Sequence, residues 1–471
     1  MKRLLATMAL IFCCTGLPLL AQADGTEDLW QGSLEVNSTK LRLVFRIMKA
    51  ANGAYSGTMV SPDQSPQAIP TTIKTYTDQT LKIEVPAASG TFEGKMSKDG
   101  KTAVGVWRQG PNELPLTLTK GGKLIEVRRP QTPHAPFPYT SEDVFIDSRP
   151  GVRLAGTLTL PKDHTGPVPS VLLIAGSGPN DRNETILQHQ LFLVLADYLT
   201  RRGIGVLRYD KRGIGKSTGS YAQATSMDFA NDAEAGVAYL KTRKEVDGTK
   251  IGLIGHSEGG LIAPLVASRN KSVAFIVLMA GPGMNGEEIL YRQSALISKA
   301  AGATDEMVAT NHKTQTQMFA IAKEEKSPAA AKQRMRALVD KLWIEYTEEQ
   351  RAALKSKDPL YAQVDAVISP WMVAFLTYDP IPALQKVTCP VLALNGSRDL
   401  QVPPKEDLSK IEAALKAGGN TDYTITELPN LNHLFQTCTT GSPTEYGNIE
   451  ETLAPIALQT MGDWIAAHTK K

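Results

Sequence analysis

The chain has 471 residues, 51 Lys and Arg against 48 Asp and Glu, a formal charge of +3, 42% hydrophobic residues, four cysteines and seven histidines. That length allows two domains. So small a charge offset argues against a protein built to hold nucleic acid or an anionic membrane surface.

The first segment runs Met1-Lys2-Arg3, then apolar from Leu4 to Leu20, then Ala21-Gln22-Ala23 before Asp24. A basic start, an apolar stretch and an A-x-A site form the pattern of a cleaved secretory signal, so residues 1–23 read as a leader and the protein as periplasmic or secreted. The alternative, an uncleaved membrane anchor, has no support in the flanking residues, and no stable membrane insertion is expected. Cys13 and Cys14 lack the small residues that precede a lipoprotein cysteine, so no lipid is expected either. Lys2 and Arg3 leave with the leader, taking 51 basic residues to 49 against 48 acidic.

Residues 24–125 carry short alternating runs split by Gly, Asn and Asp. Examples are Leu41–Ile47, Gly53–Val60 and Thr102–Trp107. Period-two alternation with such turns implies an antiparallel sheet, read here as a small barrel of lipocalin-like kind. Its role is left between a binding module and a stabilising appendage. Pro130, Pro133, Pro136 and Pro138 make residues 126–139 a stiff linker. From residue 140 to 471 strands and helices alternate, which implies a mostly parallel sheet covered on both faces. Residues 283–380 interrupt that alternation with a stretch rich in Ala, Lys, Glu, Gln and Met, read as a helical cap. Within it, Trp371 and Phe375, with Met284, Trp343, Tyr361 and Met372, are candidates to line an acyl pocket, although apolar residues at helical spacing mainly pack.

Arg212-Gly213-Ile214-Gly215-Lys216-Ser217 ends in Gly-Lys-Ser, but a phosphate-cradling loop needs glycine at 210, and that residue is Asp210. The segment reads as a structural turn, with Asp210 and Arg212 expected to pair. Gly255-His256-Ser257-Glu258-Gly259 is a G-x-S-x-G pentapeptide between an apolar strand, Lys250–Ile254, and a helix from Gly260. A serine on so sharp a strand-to-helix turn exposes its hydroxyl, and the glycines make room for the close crossing. Ser257 is therefore the candidate nucleophile, and His256 is read as structural. Val391–Leu394 forms a strand that breaks at Gly396, with Asp399 just beyond. Asn432-His433 follows the strand Tyr423–Leu428. A serine hydroxyl needs an imidazole to take its proton, and the imidazole needs a carboxylate to fix its tautomer. The chain order Ser257, Asp399, His433 is that of the α/β-hydrolases. Cys389 opens the strand that leads to Asp399 while Cys438 follows His433, too far apart to bridge, so two free thiols are expected. No His/Cys cluster has metal-ligand spacing, and no cofactor is expected.

Together these residues resemble the α/β-hydrolase superfamily, in its bacterial branch of serine-aminopeptidase-like and dienelactone-hydrolase-like esterases, over roughly residues 140–470. Ile174-Ala175-Gly176-Ser177-Gly178-Pro179-Asn180-Asp181-Arg182 is similar to that branch's oxyanion loop, Arg208–Ser217 to its loop after the fourth strand, and Gln401-Val402-Pro403-Pro404 to its segment after the acid. The resemblance implies an oxyanion hole made by the backbone N–H of Glu258 and that of Ser177, with Gly178 beside the substrate. Dienelactone hydrolases proper carry cysteine where this chain has Ser257. The expected activity is hydrolysis of small carboxylic esters of short or medium acyl chain through an acyl-enzyme on Ser257. The alternatives are a peptide or amide hydrolase, for which Glu258 is a faint candidate to hold a substrate amine, and a non-catalytic envelope protein whose β domain binds a ligand. The fold hosts many substrates and leaves the choice, like the oligomeric state, open.

Overall fold

The computed structural model describes residues 26–36, 39–50, 53–62, 65–109, 112–121, 128–348, 351 and 356–470. The leader assigned to residues 1–23 lies outside them. The chain divides into two compact units near Arg129 and Pro130.

The N-terminal unit is a closed antiparallel barrel of eight strands in sequence order: β1 Thr26–Val36, β2 Thr39–Lys49, β3 Tyr55–Ser61, β4 Ser65–Tyr76, β5 Thr80–Val85, β6 Gly90–Met96, β7 Thr102–Gln109 and β8 Asn112–Lys120. Pairing of Trp30 with Lys120 and of Gln31 with Thr119 closes it. In β5 the alternation of the sequence becomes alternation of burial, with Leu81, Ile83 and Val85 inside. Trp30, Phe45, Phe92 and Trp107 are at most 1% exposed, so large side chains fill the barrel's interior and leave it a packed core.

The second unit is an α/β sheet whose strands run in the order β18-β17-β16-β15-β11-β14-β10-β9. Their ranges are β9 Tyr139–Asp147, β10 Arg153–Pro161, β11 Val168–Ile174, β14 Gly205–Tyr209, β15 Val246–His256, β16 Phe275–Met279, β17 Val391–Gly396 and β18 Tyr423–Leu428. The β9–β10 and β10–β14 pairs are antiparallel and every other pair is parallel. Every residue of β14 and β16 is buried, and β16, Phe-Ile-Val-Leu-Met, accordingly reads as an unbroken apolar run, whereas β14 includes Arg208. A two-residue hairpin, β12 Thr185–Ile186 with β13 His189–Gln190, follows β11. The helices are α1 Leu191–Arg201, α2 Ser226–Thr242, α3 Glu258–Arg269, α9 Ile381–Leu384, α10 Pro404–Ala417 and α11 Pro455–Thr469.

Between β16 and α9 the chain forms the helical cap: α4 Gly286–Ala300, α5 Asp305–Glu324, α6 Pro328–Glu345, α7 Asp358–Val367 and α8 Pro370–Thr377. Asn285 and Ser369 cap α4 and α8 by accepting the amides of Glu288 and Met372. Met318, Phe319, Met335, Val364, Met372 and Leu376 give the cap its own core. Met372 therefore packs inside the cap, and Trp343 and Tyr361 pack against the same cluster. Among the described residues no single helix is long and apolar enough to cross a membrane.

Candidate active site

The parallel strands deliver their loops to one edge of the sheet, the carboxyl ends, where α/β proteins place their chemistry. Ser257 sits between β15 and α3 at φ 53° and ψ −118°, a conformation L-residues rarely adopt. It is held there by its N–H, which donates to Met279 O on β16 at 2.8 Å. The flanking glycines permit the crossing: a Cβ on Gly255 would lie 1.9 Å from Gly259 O, and one on Gly259 would lie 1.9 Å from Ile174 O.

Asp399, three residues past β17, is 2% exposed and fully engaged. Its Oδ1 accepts from the amides of Gln401 at 2.7 Å and Val402 at 2.9 Å, and its Oδ2 takes His433 Nδ1 at 2.7 Å. A carboxylate on Nδ1 fixes the proton there and leaves Nε2 as the basic nitrogen. The His433 loop is built by Asn432, whose Oδ1 accepts the amides of Leu434 and Gln436, both at 3.0 Å. The Ser257 hydroxyl makes no hydrogen bond to His433 among the described residues, a common looseness in sites without substrate.

Two buried carboxylates brace this frame. Glu184, 0% exposed, accepts the Gly176 amide at 2.6 Å and faces His256 Nδ1 at 2.9 Å. His256 Nε2 faces the carbonyl oxygen of His433 at 3.0 Å. Both ring nitrogens thus meet acceptors. Burial opposes a charge on His256, but the Glu184 carboxylate outweighs it and raises the imidazole's pKa above its usual value. His256 joins the oxyanion-type loop to the His433 loop, the structural role read from the sequence. Glu258 is the second carboxylate. Its Oε1 accepts from Ser226 Oγ and Trp371 Nε1, each at 2.6 Å, and its Oε2 from Lys211 Nζ at 3.1 Å.

Of the residues singled out from sequence, Ser257, Glu258 and Gly176–Gly178 meet at the ends of β15 and β11. A Cβ on Gly176 would come 3.1 Å from Ser257 Cβ. Gly178 has φ 100°, and a Cβ there would meet only Asn180 Nδ2, at 3.9 Å. Trp371, half-buried, reaches the elbow through its bond to Glu258 and stacks on Phe375 with ring centroids 5.0 Å apart. Phe375 is in the layer behind, part of the main core. Cys389 and Cys438 are both free. The expected Asp210–Arg212 pair does not form. Asp210 takes Arg182 at 2.8 Å, and Arg212 takes Asp232 at 2.7 Å and Asp228 at 3.1 Å. Ser217 has the turn role expected of it, donating to Asp210 O at 2.7 Å and accepting the Ala155 amide at 2.8 Å. Sequence reading missed Glu184, Lys211 and Asn432. All three sit in polar segments, residues 181–185, 208–213 and 429–433, whose composition carries no sign that these side chains are buried. Among the described residues no group of three or more His, Cys, Asp or Glu is placed to hold a metal ion.

The strand order, the strained elbow and the Asp399–His433 pair define an α/β-hydrolase fold with the elements of a serine-hydrolase site. The family model described as serine aminopeptidase, S33, matches residues 188–437, more than half of the chain, which belongs to that family. The chain is 27% identical over 302 residues to the esterase EstD of Thermotoga maritima, covering 64% of this chain and 61% of the relative. It is 29% identical over 128 residues to the uncharacterized protein YfhR of Escherichia coli K12, covering 27% of this chain and 42% of that protein. The match thus spans less than two thirds of either relative. Among solved structures, the Pyrococcus furiosus esterase Pf2001 aligns at 16% identity over 74% of this chain and 99% of its own, with a TM-score of 0.43.

Proposed function

We propose that the protein is an exported serine esterase acting on small carboxylic esters of short or medium acyl chain. The observation that carries the reading is the 2.7 Å bond from His433 Nδ1 to Asp399, set on the same sheet edge as the strained Ser257. In this mechanism Ser257 Oγ attacks the ester carbonyl carbon and gives its proton to His433 Nε2. The carbonyl oxygen becomes an alkoxide, met by the N–H groups of Glu258 and Ser177. Such donors are worth about 3 kcal/mol each in the transition state. Collapse breaks the bond to the alcohol, which leaves with the proton from His433. Water, deprotonated by His433, then attacks the acyl-enzyme, and the proton returns to Ser257 as the acid departs.

An aminopeptidase reading needs a carboxylate free to hold a substrate ammonium. Glu258, the candidate, has both oxygens taken by Ser226, Trp371 and Lys211. That supports ester over peptide hydrolysis. Turnover of p-nitrophenyl acetate through butyrate, with fluorophosphonate labelling at Ser257, tests the proposal. Ser257→Ala should lose on the order of 10⁶ in kcat if the three residues act as a unit. Retained turnover would place the nucleophile elsewhere. Export is tested by the N-terminus of the mature protein, expected at Asp24.

A further inference from the structure

The esterase reading asks how two backbone amides from different loops are held as one oxyanion hole. The geometry points to Lys211 as the positioning residue that joins them, acting through Gly176 O on one loop and the Glu258 side chain on the other. The inference rests on that reading and goes beyond it.

Lys211 follows β14 and is 3% exposed. Its ammonium makes two hydrogen bonds and packs over an aromatic ring. It donates to Gly176 O at 2.6 Å and to Glu258 Oε2 at 3.1 Å, and it lies 4.3 Å from the centre of the Phe229 ring. Asn180 Nδ2 makes a second bond to the same Gly176 oxygen at 2.7 Å. In a trans peptide the C=O of one residue and the N–H of the next point in opposite directions. Pinning Gly176 O therefore fixes the direction of the Ser177 N–H, which makes no hydrogen bond among the described residues. The preceding peptide is anchored too, because the Gly176 N–H donates to Glu184 at 2.6 Å, so the backbone is held on both sides of the Gly176 Cα.

The other donor is the amide of Glu258, at the first position of α3 and left unpaired by helix geometry. Its side chain is the carboxylate that holds Lys211. A single buried ion pair thus connects the residue that supplies one N–H to the peptide that supplies the other. The ammonium also acts electrically. A cation hydrogen-bonded to a carbonyl oxygen polarises that peptide and strengthens its N–H as a donor. Lys211 touches no substrate, and its effect is confined to the alkoxide stage.

The experiment compares Lys211→Met with the double variant Lys211→Met/Glu258→Gln. The single variant loses the clamp and leaves a buried carboxylate unpaired. The double variant loses the clamp but leaves no unpaired charge. The clamp predicts that Lys211→Met lowers kcat by about 10²-fold, as for loss of one oxyanion donor, with KM little changed. Affinity for a trifluoromethyl ketone, which mimics the tetrahedral alkoxide, should fall in parallel. In the double variant the thermal midpoint should return towards wild type while kcat stays low. Recovery of both in the double variant would make Lys211 a structural charge partner only and overturn the inference. So would a Lys211→Met enzyme with kcat within about threefold of wild type. Fluorophosphonate labelling of wild type separates the two levels: with Ser257 unlabelled and no turnover the esterase reading itself fails, and with Ser257 labelled only the clamp is at stake.

Discussion

Asp407 offers a test of the frame that is independent of catalysis. It lies in the first turn of α10, fully buried, and its Oδ1 accepts the amides of Gly283 at 2.7 Å and Met284 at 3.0 Å, where the chain enters the cap. Among the described residues its Oδ2 is buried with no hydrogen-bond partner. Burial pushes its pKa from 3.8 to about 7; the two amides pull it down, and the charges of Asp399 and Glu406 add to the rise. A carboxyl whose pKa is raised by folding binds more protons folded than unfolded between those two values. Its contribution is therefore intact at low pH and lost as pH rises from about 4 to 7. At about 1.4 kcal/mol per unit the full loss is about 4 kcal/mol, of which roughly 2–3 falls between pH 5 and pH 8. Asp407→Asn keeps the acceptor for both amides and cannot ionise. It puts an unpaired donor where Oδ2 was, a constant offset that does not vary with pH. The variant should gain on wild type as pH rises, by roughly 5 °C in thermal midpoint between pH 5 and pH 8. Calorimetry of both proteins across that range reads the gap. Parallel profiles would refute the reasoning, because they would mean that Asp407 ionises as easily folded as unfolded.

Two further outcomes concern activity. Asp399→Asn keeps the shape of the acid but presents His433 with the wrong tautomer preference, and about 10⁴ in kcat should go; a nearly active variant would mean that another group orients the imidazole. Each methylene of an acyl chain that finds apolar surface is worth about 0.8 kcal/mol, so kcat/KM should climb several-fold per carbon until space ends. Trp371→Ala should shift the preferred length in an ester series, since Trp371 stands beside Glu258, whereas the barrel residue Trp107 should leave it unchanged on truncation.

The sheet was legible where burial on both faces leaves an unbroken apolar run. Phe275–Met279 is such a strand over the range its sequence suggests; Tyr423–Leu428, an edge strand with only Leu428 buried, also forms over its expected range. The elbow was legible because its glycines answer a steric demand made within five residues. The bracing carboxylates were not. Glu184 finds His256 across 72 positions and Lys211 finds Glu258 across 47, partnerships that only the assembled sheet creates. The failed pairing of Asp210 with Arg212 has the same origin. Nearness in sequence suggested a local pair, but the fold brings Arg182, 28 residues upstream, to Asp210 and hands Arg212 to α2.

Of the non-glycine residues at positive φ among the described residues, four flank the candidate chemistry, while Ser89, Leu187, Gln188 and Asn430 adopt it elsewhere. Ser257, Ala280, Phe435 and Glu184 have φ of 53°, 50°, 60° and 48°, a region costing a non-glycine residue about 1 kcal/mol or more. Two end adjacent strands, one lies two residues past His433, and one holds the Gly176 amide. Each is tied by its own amide: Ser257 to Met279 O, Ala280 to Leu394 O, Phe435 to Asn432 O and Glu184 to Asp181 O. Two of those acceptors belong to neighbouring strands, so the sheet itself opposes relaxation of the turns that carry Ser257 and Ala280. An isolated loop could reach such conformations but would not stay in them. That is a physical reason for the candidate nucleophile to stand at the end of a central strand, between partners buried on both faces, and not on one of the longer loops around it.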